Sequence, residues 1–368
     1  MLTLALFVIA SSTPVTPASE LDDVSGVVSF LGGDRRDGVM MGPAPLELDR
    51  LAEVWKTPTR ARSTTSPILV GPTLVIGAGA LLMAMDSSSG AVLWSTPLPS
   101  SVSDAPSYVS GSILTPLANG TLASLDAVSG GVQWLAPLGA SALLAPLDVG
   151  GFAIVASQRG AIYAVETGTG ALVWSLPMAR PITTAPSTDG TTVWVGTSAG
   201  DVVAIDPGEG DILWQASTGA SVVTAVSVGD DALFVAGADG NVTALNPEDG
   251  SVLWVSAVGS WLRSSVSIGS EEIFVSSGNG IVALDRLSGE REWFVPLPGT
   301  VTATPIVSNG VVFAGPERGG IVAIDAASGD VLGSFDAIAG VSQPMIVSDG
   351  VIFAIDSLGD VMALGSDR

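Results

Sequence analysis

The side chains that could carry out chemistry in this chain are carboxylates, hydroxyls and a few arginines. The 368-residue sequence contains no cysteine and no histidine. Disulfides, thiol nucleophiles, histidine-based zinc sites and catalytic triads with a histidine base are therefore excluded. An enzyme built from this sequence would need paired carboxylates or a cofactor, which makes the arrangement of the acidic residues important.

The acidic residues recur in a fixed context rather than as pairs. In each copy a small residue stands two positions before an aspartate, and a glycine stands four positions after it. The copies with aspartate are Asp86, Asp126, Asp206, Asp285 and Asp325. An aspartate at a strand end accepts hydrogen bonds from the N–H groups of the following turn, and glycine supplies a positive φ. The pattern predicts hairpin turns, with no catalytic residue and no metal ligand among them.

A tryptophan follows most of these aspartates by eight positions. The indoles recur at steps of 39 or 40 residues, at Trp55, Trp94, Trp134, Trp174, Trp214, Trp254 and Trp293. Self-similarity at this period is typical of propellers and solenoids. The seventh copy has Gly333 in place of the indole, and the eighth runs into the C-terminus.

Each repeat predicts four antiparallel strands, A to D from the inside outward. Turn pairs such as Asp189–Gly190 and Asn309–Gly310 separate short apolar runs, which is typical of hairpins. Eight strand A starts and eight strand C motifs require eight blades, but the last blade lacks strand D. Residues 51–55 fit that strand. We therefore predict an all-β, eight-bladed propeller of four-stranded antiparallel blades over residues 51–368, closed by the N-terminal strand in the last blade.

The N-terminal region divides into three predicted segments. Residues 1–10 are apolar and are followed by Ser, Thr and Pro, as in the core and cleavage region of a secretory signal peptide. We interpret residues 11–29 as a flexible linker and residues 30–50 as a lead-in to the propeller. The apolar runs are too short to cross a bilayer as helices. The sequence thus predicts an exported protein, periplasmic or extracellular, with no transmembrane span in the mature chain.

The repeated unit Ala-x-Asp-x-x-x-Gly-x-x-x-Trp resembles the repeat of the pyrroloquinoline-quinone-like β-propellers over residues 51–368. This superfamily includes quinoprotein alcohol dehydrogenases and the propeller component of the outer-membrane β-barrel assembly machinery. In the lead-in, Phe30, Gly32, Arg36 and Gly38 are similar to a Phe-x-Gly-Asp-x-x-Arg-x-Gly segment that often precedes such propellers. The resemblance implies that the repeated tryptophans dock between neighbouring blades and are structural.

Two features that the resemblance implies are missing from this sequence. The quinoprotein dehydrogenases carry an adjacent cysteine pair over the cofactor, and the assembly lipoprotein is anchored through a lipidated cysteine. Because this chain contains no cysteine, we expect neither a quinone cofactor nor that form of membrane attachment.

The net charge of −23 opposes binding to nucleic acid or to anionic lipid over the general surface. In a four-stranded blade, the D–A connections and the B–C turns lie on one face. The candidate partner-binding residues share that face and are Arg60, Arg62, Arg159, Arg180, Trp261, Arg263 and Arg318. Arginine and tryptophan at loop tips are typical of recognition hot spots. The alternative is that these arginines only balance acidic residues of the same loops.

Two functional classes are compatible with the sequence. One is a non-catalytic, monomeric scaffold that binds a protein or peptide through this face. The other is a small-ligand or quinone-binding propeller, or an enzyme, that uses the central channel. Residues ahead of strand A are mostly small, with Asp104 and Gln343 as the chief polar exceptions. Because the channel offers so little chemistry, we predict the scaffold.

Overall fold

The architecture follows from apolar runs too short for helices and from turns at regular intervals. A computed structural model describes residues 27–28, 30–40, 42–45, 48, 51–61, 63–259, 262–335, 340–341 and 343–366. In this part of the chain, eight antiparallel sheets form the blades of a propeller, and a 3-10 turn lies at Phe30–Gly32. The predicted all-β, eight-bladed fold is confirmed.

The strands are numbered in chain order. Two precede the first complete blade: β1 (Val27–Val28) and β2 (Leu51–Pro58). Blade 1 contains β3 (Ile68–Val70), β4 (Thr73–Ala78), β5 (Leu81–Asp86) and β6 (Val92–Pro97); blade 2 contains β7 (Ser107–Val109), β8 (Ser112–Pro116), β9 (Thr121–Asp126) and β10 (Val132–Pro137). Blade 3 contains β11 (Leu147–Val149), β12 (Phe152–Ser157), β13 (Ala161–Glu166) and β14 (Leu172–Pro177); blade 4 contains β15 (Ser187–Thr188), β16 (Val193–Gly196), β17 (Asp201–Ile205) and β18 (Ile212–Ser217).

The second half of the ring repeats the same order. Blade 5 contains β19 (Ser227–Val228), β20 (Leu233–Ala236), β21 (Asn241–Leu245) and β22 (Val252–Ala257); blade 6 contains β23 (Ser267–Ile268), β24 (Glu272–Ser277), β25 (Gly280–Asp285) and β26 (Arg291–Pro296). Blade 7 contains β27 (Ile306–Ser308), β28 (Val311–Ala314), β29 (Ile321–Asp325) and β30 (Val331–Phe335); blade 8 contains β31 (Ile346–Ser348), β32 (Val351–Ile355) and β33 (Asp360–Ser366).

The core lies between neighbouring blades. Strands B and C are buried on both faces, because each sheet is packed between two others. Strand D alternates between half-buried and exposed side chains, since its outer face meets solvent. The repeated apolar runs therefore belong to strands B and C.

The indoles lie at the blade interfaces. Trp174 stands opposite Ala164 in its own sheet, and its Nε1–H donates to the carbonyl of Pro207 in the next blade at 3.0 Å. The indole also lies against Gly210, whose φ is +77°. Equivalent bonds to the next blade are made by Trp55, Trp94, Trp134, Trp214, Trp254 and Trp293. Trp55 is buried and the other six are half-buried, so each indole links two blades.

The ring closes through β2, which pairs with β33 and supplies strand D of blade 8. Lys56, the only lysine, places its Nζ 2.8 Å from Asp356 Oδ2 and 3.2 Å from Asp360 Oδ2. The Asp356 side chain is fully buried. In six other blades the bridge residue equivalent to Asp356 is Ala78, Leu117, Ser157, Thr197, Gly237 or Pro316. The ion pair is therefore specific to the closing blade.

We expect Lys56→Gln to lower the free energy of unfolding by about 1–3 kcal/mol, because a buried carboxylate loses its counter-charge. The double variant with Asp356→Asn should lose less stability, since no uncompensated charge remains.

The hydrogen bond to Asp356 raises the pKa of Lys56. The ion pair therefore contributes its full stabilisation below the pKa of lysine in the unfolded chain, about 10.4. This stabilisation is lost as the pH rises through the higher pKa that Lys56 has in the folded protein. Urea unfolding at pH 8 and pH 11 checks both points: an equal deficit at the two pH values would contradict the ion-pair explanation.

The lead-in does not stay outside the ring. β1 pairs with β3, the inner strand of blade 1. The carbonyls of Asp34, Arg35 and Asp37 then accept hydrogen bonds from Thr188, Val228 and Ile268, at the ends of strand A in blades 4, 5 and 6. Further bonds join Gly38 and Met40 to Val307 of blade 7, and Pro43 to Gly350 of blade 8. The lead-in thus runs around the inside of the ring before β2 reaches its outer edge.

This course begins within the last residues of the predicted linker. Val27 and Val28, near the end of the linker predicted over residues 11–29, pair with Val70 and Leu69. A strand A edge offers unpaired N–H and C=O groups, and even two residues can satisfy them. The predicted signal peptide, residues 1–10, and most of the predicted linker lie outside the described residues.

Candidate functional site

The candidate arginines lie on one face of the propeller, here called the loop face, which carries the D–A connections and the B–C turns. Arg60, Arg180 and Arg263 lie in D–A connections, and Arg159 and Arg318 lie in B–C turns. All five are exposed. Arg62 and Trp261 lie outside the described residues. The opposite face, with the A–B and C–D turns, is called the turn face.

Arg159 and Arg180 belong to neighbouring loops. The carbonyl of Gly160 accepts a hydrogen bond from Met178 at 2.8 Å, and a Cβ added to Gly160 would lie 2.8 Å from the carbonyl oxygen of Arg180. The Arg159 guanidinium donates from Nε to Ser141 Oγ at 3.2 Å. The B–C turn of blade 3 and the connection to blade 4 therefore present two adjacent cationic side chains.

Four of the candidate arginines are not neutralised by described acids of their own loops. Arg60, Arg159, Arg180 and Arg318 form no ion pair with any residue that the structure describes. Two ion pairs outside the ring closure, Arg35–Asp230 and Arg286–Asp231, lie on the turn face. The alternative that loop acids balance these four arginines thus has no ion pair among the described residues to support it.

Between blades 6 and 7, Arg263 lines a depression of about 380 Å³. Its other walls are Gly278, Thr300, Thr302 and Glu317. Arg263 and Thr302 also line the mouth of the central channel, so the depression and the channel are adjacent. A partner on this face would meet a groove that leads towards the axis.

The channel is a well of about 260 Å³. Small residues and hydroxyl groups line most of it, and Phe30 and Leu31 of the lead-in also contribute. Asp104 accepts N–H bonds from Ala105 and Ala145. Burial raises the pKa of Asp104, and these bonds and the charge of Arg36 oppose that rise. This carboxylate therefore links blades 2 and 3.

Gln343, the other polar exception, is also occupied by structural contacts. It accepts a hydrogen bond from Ser66 and donates one to the carbonyl of Thr64, across the closure between blades 8 and 1. The chain contains no cysteine pair for a quinone, and no group of three or more acidic side chains that could hold a metal ion occurs among the described residues. The residues of the well do not fit a quinone–metal centre of the kind that the resemblance implies.

The repeated aspartates organise the C–D turns. Asp206 Oδ1 accepts the N–H groups of Gly208 and Glu209 at 2.8 and 2.9 Å. Backbone N–H bonds of this kind are also accepted by Asp86, Asp126, Asp285 and Asp325. Hydrogen bonds from Ser88 and Ser89 hold the pKa of Asp86 below its usual value. These carboxylates serve as turn acceptors on the turn face, away from the loop-face arginines.

Sequence reasoning missed two polar contacts. Arg36 belongs to the lead-in motif in the sequence, and the structure shows it fully buried at the inner edge of blades 3 and 4. The ion pair of Lys56 with Asp356 has no signal in the sequence either. Both contacts join residues more than 100 positions apart, and no local spacing predicts such pairs.

The ring, its indole links and its channel lined by small polar residues define a pyrroloquinoline-quinone-like β-propeller. The chain belongs to the family described as "Outer membrane protein assembly factor BamB", whose model matches residues 48–181 and 158–367. No curated protein sequence matches this chain significantly. Within the described residues, no helix is both long and apolar enough to cross a membrane.

Solved structures share the fold at low sequence identity. BamB from Moraxella catarrhalis has a TM-score of 0.74 and 18% identity, covering 86% of this chain and 99% of that chain. Quinohemoprotein alcohol dehydrogenase from Comamonas testosteroni has a TM-score of 0.80 and 13% identity, covering 96% and 83%. A europium-containing methanol dehydrogenase has a TM-score of 0.81 and 12% identity, covering 95% and 99%. The likeness therefore shows the fold alone.

Proposed function

We propose that this protein is a non-catalytic scaffold of the cell envelope that binds a protein or peptide partner through the loop face. The observation that carries the proposal is the set of four exposed arginines without ion pairs among the described residues, in a chain of net charge −23. Exposed, unpaired guanidinium groups are available to carboxylates of a partner. Membership of a family described as an outer membrane protein assembly factor supports the same function.

The partner segment should be acidic or polar. Arg159 and Arg180 belong to neighbouring loops at blade 3, while Arg263 and Arg318 belong to the loops of blades 6 and 7. The turn face carries the acidic turns and would repel such a segment. Electrostatic complementarity of this kind determines orientation and association rate more than stability. We further propose export to the periplasm and a monomeric state.

The proposal predicts that Arg159→Ala and Arg180→Ala each weaken partner capture by at least threefold while leaving thermal unfolding unchanged, because exposed charges contribute little to stability. Arg291→Ala is the matched control, since Arg291 is exposed on strand D of blade 6, away from the loop face. Tagged variants would be used to capture proteins from the native envelope, with quantification by mass spectrometry. If the control reduced capture of the same protein equally, net charge rather than the loop face would be responsible.

The enzymatic alternative is tested separately. Pyrroloquinoline quinone, with and without calcium, should leave the thermal unfolding midpoint of the purified protein unchanged, because the residues of the well do not fit that cofactor. A concentration-dependent increase in the midpoint would contradict the scaffold proposal, since a ligand that binds only the folded state stabilises it.

A further inference from the structure

Arg36 is a charged side chain with no exposed surface, and it lies inside the ring. Its guanidinium donates to the carbonyls of Phe30 and Pro146 at 2.9 Å and to Pro186 at 3.3 Å. It also lies 5.0 Å from the centre of the Phe30 ring. One side chain thus joins the lead-in to the inner strands of blades 3 and 4.

Arg36 makes a contact that a serine makes elsewhere in the ring. Ser107, Ser227 and Ser267, each the first residue of strand A, donate to a carbonyl of the next blade. Blade 3 has Leu147 at the equivalent position, and the carbonyl that such a serine would bond, Pro186, is bonded by Arg36 instead. The arginine therefore satisfies an acceptor that the repeat leaves open.

The glycines of the lead-in are required by its close contacts. A Cβ added to Gly38 would clash with Ser267 on strand A of blade 6, and one added to Gly32 would clash with the backbone of Val39. Both glycines have positive φ, +89° at Gly32 and +71° at Gly38. The spacing of Gly32, Arg36 and Gly38 thus has a structural meaning: it lets the segment fold against the inner strands.

The lead-in is attached differently from the rest of the ring. The propeller is closed by β2 and β33 without it, and its bonds are to inner strand ends and the turn beside β31. It also buries charge: burial raises the pKa of Asp34 and of Asp37 and lowers that of Arg36. Among its described residues, Leu31 and Met40 are buried apolar side chains and Phe30 packs against the core. A segment with these few apolar anchors and with buried charges is typical of those that open at low free energy.

We propose that residues 30–40 and 42–43 form a cap over the turn-face end of the channel, and that the cap, held by Arg36, opens as a unit while the propeller stays folded. Closed, the cap makes the channel a blind well with Phe30 and Leu31 in its lining. Open, it frees the strand A ends of blades 4 to 8 and makes the channel continuous. Arg36 is the positioning residue of this cap.

The absence of cysteine makes a direct test possible. Ser187 lies on strand A of blade 4, beside Pro186, and has no exposed surface. Its Oγ has no hydrogen-bond partner among the described residues, so Ser187→Cys removes no hydrogen bond. The thiol at this position should react with a soluble maleimide only when the cap is open. Labelling in the absence of denaturant therefore reports cap opening.

We expect Arg36→Ala to accelerate labelling of the Ser187→Cys protein at least tenfold, with Arg36→Lys giving an intermediate rate. Arg35→Ala is the matched control: Arg35 is the preceding residue, but its side chain is 43% exposed and pairs with Asp230. It should change the rate less than twofold. The free energy of global unfolding, measured in urea by tryptophan fluorescence, should change much less than the labelling rate does.

Two outcomes would overturn the cap. In the first, the labelling rate of the Arg36→Ala variant depends on urea in the same way as global unfolding does. In the second, Arg35→Ala accelerates labelling as much as Arg36→Ala does. If Ser187→Cys fails to fold, hydrogen exchange on the chain with Ser187 retained replaces the thiol. The amides of Thr188, Val228 and Ile268 should then lose protection in Arg36→Ala, while that of Val195 in strand B keeps it. Equal loss at all four amides would show that Arg36 stabilises the whole ring and holds no separate cap.

Discussion

Deleting residues 51–58 is expected to lower the free energy of unfolding by about 5 kcal/mol or more, a large part of the stability of a typical domain. The deletion removes β2, and with it seven residue pairings with β33 and the buried Trp55. It also leaves the buried carboxylate of Asp356 without its ammonium partner. The apolar edge of β33 would be unpaired, so concentration-dependent association should accompany the loss.

A graft separates the contribution of the strand from that of its sequence. Replacing residues 51–58 by the sequence of residues 210–217 supplies a strand D with tryptophan in register but glutamine in place of Lys56. The grafted protein should recover most of the stability that the deletion removes, and its remaining loss should equal that of Lys56→Gln. Urea unfolding of the deletion, the graft and the Lys56→Gln variant measures both the recovery and the remaining loss. Unchanged unfolding after the deletion would mean that β2 does not close the ring.

The regular part of the fold could be predicted because it is repeated. A 40-residue period, turn signals and a missing eighth strand D were enough to place the blades and their closure. One irregularity of the sequence is explained only by the structure. Gly333 replaces the indole in blade 7, and each indole bonds the C–D turn of the next blade. Blade 8 has no C–D turn, because its strand D comes from β2, so an indole at 333 would have no turn to bond.

The lead-in could not be placed from the sequence because its partners are remote. Arg36 bonds carbonyls 110 and 150 residues away, and backbone carbonyls carry no sequence signal. The loop-face arginines were easier, since position in the repeat determines which face a loop lies on. The sequence does not predict their ion-pair partners, and only the structure shows that four of them form no ion pair with described residues. The repeat thus predicts where a residue lies in the propeller, but only the three-dimensional structure shows which residues it contacts.

The second large effect is expected at the interface between blades 3 and 4. Trp174→Ala should cost about 2–3 kcal/mol, below the 3–5 kcal/mol of a fully buried indole, because Trp174 is half-buried. It removes the bond to Pro207 and the contact with Gly210. Urea unfolding followed by circular dichroism measures the change, since the fluorescence signal itself changes with the substitution.

Gly210 provides the complementary half of this test. A Cβ there would lie 2.7 Å from Cδ2 of Trp174, at a φ of +77°, so Gly210→Ala should cost about 2–4 kcal/mol through backbone strain and overpacking. Gly219→Ala is the matched control, because Gly219 has a φ of +86° and no atom within 4 Å of the added Cβ. It should cost only the backbone part, about 1–2 kcal/mol. In the Trp174→Ala background, Gly210→Ala should fall to the cost of Gly219→Ala, because the clashing ring is gone. Additive costs in that double variant would mean that the indole does not pack on the glycine of the next blade, and that the blades are held by their sheet faces alone.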